Sequence, residues 1–336
     1  MCEFGLLQEG KGVEPARFCA QSRLVIVAGK GGVGKTTVAA ALARMASLAG
    51  LSSLVVEVEG KSGLAAAFGA GPLGYEEDVL VAADPAAGTA EVRARTLTPD
   101  DALLEYLQDH GMRRISRRLL SSGAVDVAAT AAPGIKDILV LGKVKQLERA
   151  GAADLLVLDA PAAGHAVTFL LAARALLDAV RVGPIRAQAE DVLELLSDPA
   201  RCQVMLVTLA EETPVNEVVE TAFALEDRVG LALGPVVVNG LYPEAEGMDA
   251  DPVAAAEAAG VALRAGEAEA LRAAAAFRRQ RQELQREQVA RLAERLPLPQ
   301  LHLPFLFTAE LGPADVDTLA AALTHEVEGL TVGQAT

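Results

Sequence analysis

The chain has 336 residues, a formal net charge of −15, and a composition that is 51% hydrophobic but only 3% aromatic. That length buries one large core or two modest ones, made of Ala, Val and Leu. The acidic balance excludes a general nucleic-acid binder, which needs a basic surface to displace counterions. The longest apolar runs, such as Leu155–Leu158 and Val204–Val207, fall far short of the ~20 residues of a membrane span, so no direct membrane insertion is predicted.

In chain order, residues 1–22 carry Gly5, Gly10, Gly12 and Pro15 and read as an irregular arm. Met1–Arg23 lacks a basic start followed by an apolar run, so a cytoplasmic setting is expected. Cys2, Cys19 and Cys202 lie far apart without a C-x-x-C, and the histidines are scattered, which suggests neither a zinc clip nor a disulfide framework.

The stretch that follows organises the rest. A strand at Leu24–Val27 leads into Gly29-Lys30-Gly31-Gly32-Val33-Gly34-Lys35-Thr36-Thr37, which fits G-x-x-x-x-G-K-[ST] before a helix beginning near Lys35. Glycines let successive backbone N–H groups face an anionic oxygen; Lys35 suits the β/γ-phosphates and the Thr36 hydroxyl suits Mg²⁺. The helix start adds its positive dipole end. The same residues also spell the dinucleotide fingerprint G-x-G-x-x-G, with Glu57 and Glu59 about 20 positions on. Lys35-Thr36-Thr37 decides for the triphosphate: a dinucleotide fold has no use for a cation and a magnesium hydroxyl at the first helical turn.

Beyond the loop, Thr37–Leu48 has helical spacing ending at Gly50, and Ser53–Val58 reads as a second buried strand. Alternating strands and helices predict right-handed βαβ units and an α/β fold with a mostly parallel sheet, the P-loop NTPase core, flanked by helices. From Gly69 to about Ala132 the pattern reads as mostly helical, with Ala102–Leu107 and Met112–Leu120, and predicts a helical subdomain over 70–135. Pro133-Gly134 opens a helix at Ile135–Ala150. A third strand, Leu155–Leu158, ends in Asp159-Ala160-Pro161-Ala162-Ala163-Gly164-His165. A carboxylate at that strand end is placed to hold magnesium through water, and the turn carrying Gly164 and His165 is free to move with a γ-phosphate.

Strands Val204–Leu209 and Val236–Asn239 follow. Residues 244–297 form a helical insertion with a break at Ala265-Gly266. Its ragged apolar stripe, Leu271, Phe277, Leu284, Leu292 and Leu296 with Arg281 inside it, predicts a packed surface helix rather than a coiled coil. Leu301–Pro304 is a last strand, Ala314–Leu323 a last helix and 331–336 a tail.

With Lys30 ahead of Gly31-Gly32-Val33-Gly34-Lys35-Thr36, the chain resembles the deviant-Walker, SIMIBI-class P-loop ATPases. Asp159…Gly164-His165, Pro133-Gly134 and Val236-Val237-Val238-Asn239 narrow the resemblance to the ArsA family, which includes arsenite-pump ATPases and ATPases that target tail-anchored membrane proteins. The resemblance covers most of residues 23–325 and implies one ATPase domain over 23–330, using ATP and Mg²⁺. It implies a dimer, of two copies or with a paralogous subunit, whose opening and closing acts on a client protein. It further implies that Lys30 reaches the nucleotide of the opposite subunit, that Asn239 recognises adenine, that Pro304–Leu311, with Phe305, lies along the base, and that Glu211 touches the nucleotide. Glu59 falls on the family's water-activating aspartate, with Gly60 replacing the usual proline.

Departures matter as well. Residues 69–135 contain no cysteine for arsenite, no zinc C-x-x-C follows Asn239, and the short span from Phe169 to Cys202 leaves little room for extra client-binding helices. A client-directed ATPase therefore stands beside a second reading, a small-molecule enzyme: a P-loop kinase or a dinucleotide-binding oxidoreductase.

Overall fold

Strand-length runs of Val, Leu and Ile without polar alternation are what a sheet covered on both faces requires. The computed structural model, which describes residues 12–58, 63–109, 134–161 and 163–331, builds such a sheet. In chain order the first half comprises α1 (Pro15–Cys19), β1 (Leu24–Gly29), α2 (Lys35–Leu48), β2 (Ser53–Val58), α3 (Gly63–Ala67), β3 (Asp78–Val81), β4 (Val92–Leu97) and α4 (Pro99–Asp109). Next come α5 (Ile135–Ala150), β5 (Leu155–Asp159), α6 (Ala163–Ala179), α7 (Pro184–Ser197), β6 (Cys202–Leu209) and α8 (Glu212–Val229). The chain closes with β7 (Val236–Leu241), α9 (Pro252–Ala259), α10 (Glu267–Arg295), β8 (Gln300–Pro304) and α11 (Pro313–Glu328).

The eight strands lie in the order β3-β4-β2-β5-β1-β6-β7-β8, all parallel except β3, which runs antiparallel to β4. Successive residues of each strand point to opposite faces. Leu24, Ile26, Leu54, Val56, Leu156 and Leu158 thus join a core under α5, α6, α7 and α8, while Val25, Val27, Val55, Val157 and Val207 join a second under α1, α2, α3 and α11. A parallel sheet gathers the carboxyl ends of its strands on one edge, and ligands bind in the crevice there. In register, Asp159 at the end of β5 pairs with both Val27 and Glu57, within two residues of the ends of β1 and β2. Among the described residues, no helix is long and apolar enough to cross a membrane.

Two expectations change. Pro15, at the first turn, starts α1 inside the stretch expected to be irregular, and Val13, Phe18 and Cys19 are buried in the second core. The expected helical subdomain over 70–135 begins instead with two strands, and β4 extends the sheet beside β2. Arg93 and Arg95 interrupt the apolar run there, with Arg93 ion-paired to Glu91 and the Arg95 guanidinium stacked 4.5 Å over the Tyr75 ring. Helix α4 follows; Met112–Leu120 lies outside the described residues. Within 244–297 lie α9 and α10. The α10 stripe packs only at its end, however: Leu292 and Leu296 are buried, whereas Leu271, Phe277 and Leu284 are exposed.

Candidate nucleotide site

The loop between β1 and α2 takes its shape from its glycines. Gly32 and Gly34 adopt φ +85° and +93°, a region costly for any residue with a Cβ. A Cβ at Gly29 would stand 2.4 Å from the Val207 carbonyl oxygen, and one at Gly34 would stand 2.2 Å from Asn239 Nδ2. Side chains are therefore excluded where the chain must turn and where Asn239 closes on it. No side chain caps the N-terminus of α2, which leaves its first N–H groups for an anion. Lys35 is buried and folds back so that its Nζ donates to the Lys30 carbonyl at 2.9 Å.

Thr36 and Asp159 are far apart in sequence, yet Thr36 Oγ1 donates to Asp159 Oδ2 at 2.6 Å. Asp159 is fully buried at the end of β5. A hydroxyl and a carboxylate are hard oxygen donors, so the pair fits Mg²⁺. Thr36 and Asp159 would hold the ion, whose charge would offset that of the phosphates. Beside them Glu57 is also buried, not on the surface, and accepts a hydrogen bond from Thr96 Oγ1 at 3.2 Å. Glu59 and Gly60 lie outside the described residues. The chain resumes at Gly63, where a Cβ would be 3.6 Å from Thr36 Cγ2. Gly164 and His165 stand in the first turn of α6, just past Asp159.

The remaining expected residues line the same sheet edge. Lys30 is half-exposed, and its Nζ lies 2.5 Å from Glu217 Oε1 on α8 of the same chain. Glu211 stands at the residue before α8, where its side chain makes no capping bond, and it accepts from Arg281 Nη2 at 2.9 Å. Asn239, in β7, donates through Nδ2 to the Val33 carbonyl at 3.0 Å, tying that strand to the phosphate loop. Pro304 ends β8, and the Phe305 N–H donates to the Leu241 carbonyl at 2.7 Å. Phe305 forms a triangle with Tyr242 and Phe307, with ring centroids 4.9–5.5 Å apart. Phe307 falls within the Pro304–Leu311 stretch that the resemblance lays along the base. The sequence reading gave no site role to Glu217, Arg281 and Tyr242, which are brought in by helices and turns remote in sequence.

Comparison with known proteins agrees with this geometry. A family model described as anion-transporting ATPase matches residues 22–182. The ATPase BagA of Mycobacterium tuberculosis is 36% identical over 252 residues, covering 73% of each chain. An arsenical pump-driving ATPase of Acidiphilium multivorum is 27% identical over 68% of this chain and 41% of its own. The ATPase get3 of Schizosaccharomyces japonicus is 28% identical over 44% of this chain and 42% of its own. With the phosphate loop, the meeting of Thr36 with Asp159 and these relatives in hand, the chain belongs to the ArsA family of P-loop ATPases.

Proposed function

We propose that this chain binds ATP with Mg²⁺ and hydrolyses it as a dimer, of two copies or with a paralogous ATPase subunit, and that nucleotide-driven opening and closing acts on a client protein in the cytoplasm. The observation that carries the reading is the 2.6 Å approach of Thr36 to Asp159 at the mouth of a loop whose lysine is already folded inward. In this reading Gly29, Gly31, Gly32, Val33 and Gly34 wrap the phosphates, Lys35 neutralises the β/γ-phosphates, and Thr37 extends the helix-start contacts. Asn239 and Glu211, with Pro304 and Phe305, form the base side. An asparagine amide donates and accepts in the pattern that complements the N6/N7 edge of adenine. Glu59 orients the attacking water, Lys30 serves the partner's nucleotide, and Gly164 with His165 follows the γ-phosphate.

Similarity to an arsenical pump-driving ATPase raises arsenite as an effector. Against it, Cys19 and Cys202 are buried in the two cores on opposite faces of the sheet. A protein client fits the departures better. The test is Lys35→Ala. One charge-assisted contact is worth ~1.5–3 kcal/mol, so ATP affinity should fall about 10- to 100-fold, and hydrolysis should fall with it. Parent-like hydrolysis by this variant would refute the reading, and turnover only with an added acceptor would make the chain a kinase.

A further inference from the structure

The base-side wall is held by the insertion helix. The β7–β8 ladder is irregular between Val238 and Leu241, the point at which Asn239 and Gly240 leave regular pairing. Helix α10 fills the gap: Gln285 is buried, its Nε2 donates to the Gly240 carbonyl at 3.0 Å, and its Oε1 accepts from the Tyr242 N–H at 2.9 Å. One side-chain amide thus satisfies two backbone groups that a neighbouring strand would otherwise take. Gln282, one turn earlier and also buried, donates to the Pro243 carbonyl at 3.0 Å. Arg281 joins α10 to Glu211 and stands 5.9 Å from the Tyr242 ring centroid, while Arg278 stands 5.2 Å from that of Phe307. Helix α10 thus reaches Glu211 through Arg281, Tyr242 and Phe307 of the aromatic triangle through Arg281 and Arg278, and the backbone either side of Leu241 through Gln285.

We infer that Gln285 is a positioning residue for nucleotide-base selection: by clamping Gly240 and Tyr242 it aims the Asn239 amide and the aromatic triangle at the base. The inference rests on the proposed ATP site. Gln285 acts through Asn239 and Phe305, so it governs affinity and base preference while leaving the phosphate chemistry of Lys35, Thr36 and Asp159 alone. A purely structural glutamine would move stability without altering the choice of base.

The experiment measures dissociation constants for fluorescent ATP and GTP analogues, and turnover at saturating ATP, in the full chain. The variants are Gln285→Met, Gln285→Glu and the exposed control Glu287→Gln. Gln285→Met keeps the volume and removes both hydrogen bonds. It should weaken ATP about tenfold, the equivalent of one to two ordinary hydrogen bonds. It should weaken GTP less, so that the ATP-over-GTP preference narrows, with saturated turnover within about twofold of the parent. Gln285→Glu keeps the acceptor for Tyr242 N–H and should lie between parent and Gln285→Met; if Gln285→Met does not fold, that partial loss of base preference alone decides. The control should match the parent. Unchanged ATP affinity and base preference in the Gln285 variants, or lost turnover at unchanged affinity, overturns the inference. A parent that binds no ATP overturns the ATP-site reading itself, and this inference with it.

Discussion

Removing the Lys30 side chain should separate catalysis from binding and from stability. In the single chain its ammonium pairs with Glu217, and the two side chains are 42% and 37% exposed. A pair that wet contributes at most ~1 kcal/mol, so Lys30→Ala should lower Tm by no more than about 4 °C. ATP affinity should stay within about threefold, because Lys35 binds the carbonyl of Lys30 and not its side chain. Turnover is a different matter. A cation supplied by the opposite subunit acts on transition-state charge, where such groups are worth ~10³–10⁵, so the rate should fall by at least ~10³. The assay is steady-state phosphate release, with a nucleotide titration and a thermal melt on the same preparations. Mixing Lys30→Ala with an excess of Lys35→Ala should restore activity, since each mixed dimer keeps one site with an intact Lys35 facing an intact Lys30. Three results would each refute the reasoning: parent-like turnover, loss of ATP affinity to the extent seen in Lys35→Ala, or a rate linear in enzyme down to concentrations where gel filtration shows only monomer.

Other outcomes follow from the same geometry. Gly34→Ala should weaken nucleotide binding about 5- to 30-fold, because φ +93° costs an alanine ~1–2 kcal/mol and its Cβ would displace Asn239 Nδ2; a variant titrating with ATP like the parent contradicts the tight approach. Glu59→Gln should keep ATP affinity and lose at least the lower end of the ~10²–10⁴ attributed to a positioned base, with Glu57→Gln losing far less. Turnover by Glu59→Gln within about threefold of the parent removes it from the mechanism. Arsenite and antimonite should leave the ATPase rate unchanged. Soft anions need clustered thiolates, but burial pushes the Cys19 thiol up to about 12 and raises that of Cys202 as well, so both stay protonated in separate cores. A several-fold stimulation abolished by Cys→Ser changes would show otherwise.

Much of this protein is written locally in its chain. β2 and α5 have the bounds that the sequence predicts, and β1 and β5 extend past theirs only at the carboxyl end, because strands buried on both faces leave unbroken apolar runs and left-handed glycines at 134 and 151 bracket the helix. The phosphate loop is equally legible, since its glycines, Lys35 and Thr36 are consecutive and their chemistry depends on backbone shape at that spot. The edge of the sheet was not. β4 is buried at every position but Arg93, yet its two arginines break the apolar run that marks the other strands, and their partners Glu91 and Tyr75 meet them only in the folded sheet. The closure of the site also belongs to the tertiary structure. Thr36 and Asp159 are 123 positions apart, Lys30 and Glu217 187, and Asn239 and Val33 206. No local propensity encodes such pairs; they arise because a parallel sheet brings its strand ends to one edge. Gln285 marks that limit most clearly. Within α10 it is one more polar residue on a polar helix, and it becomes the brace of the base-side wall only because β7 leaves its ladder opposite it.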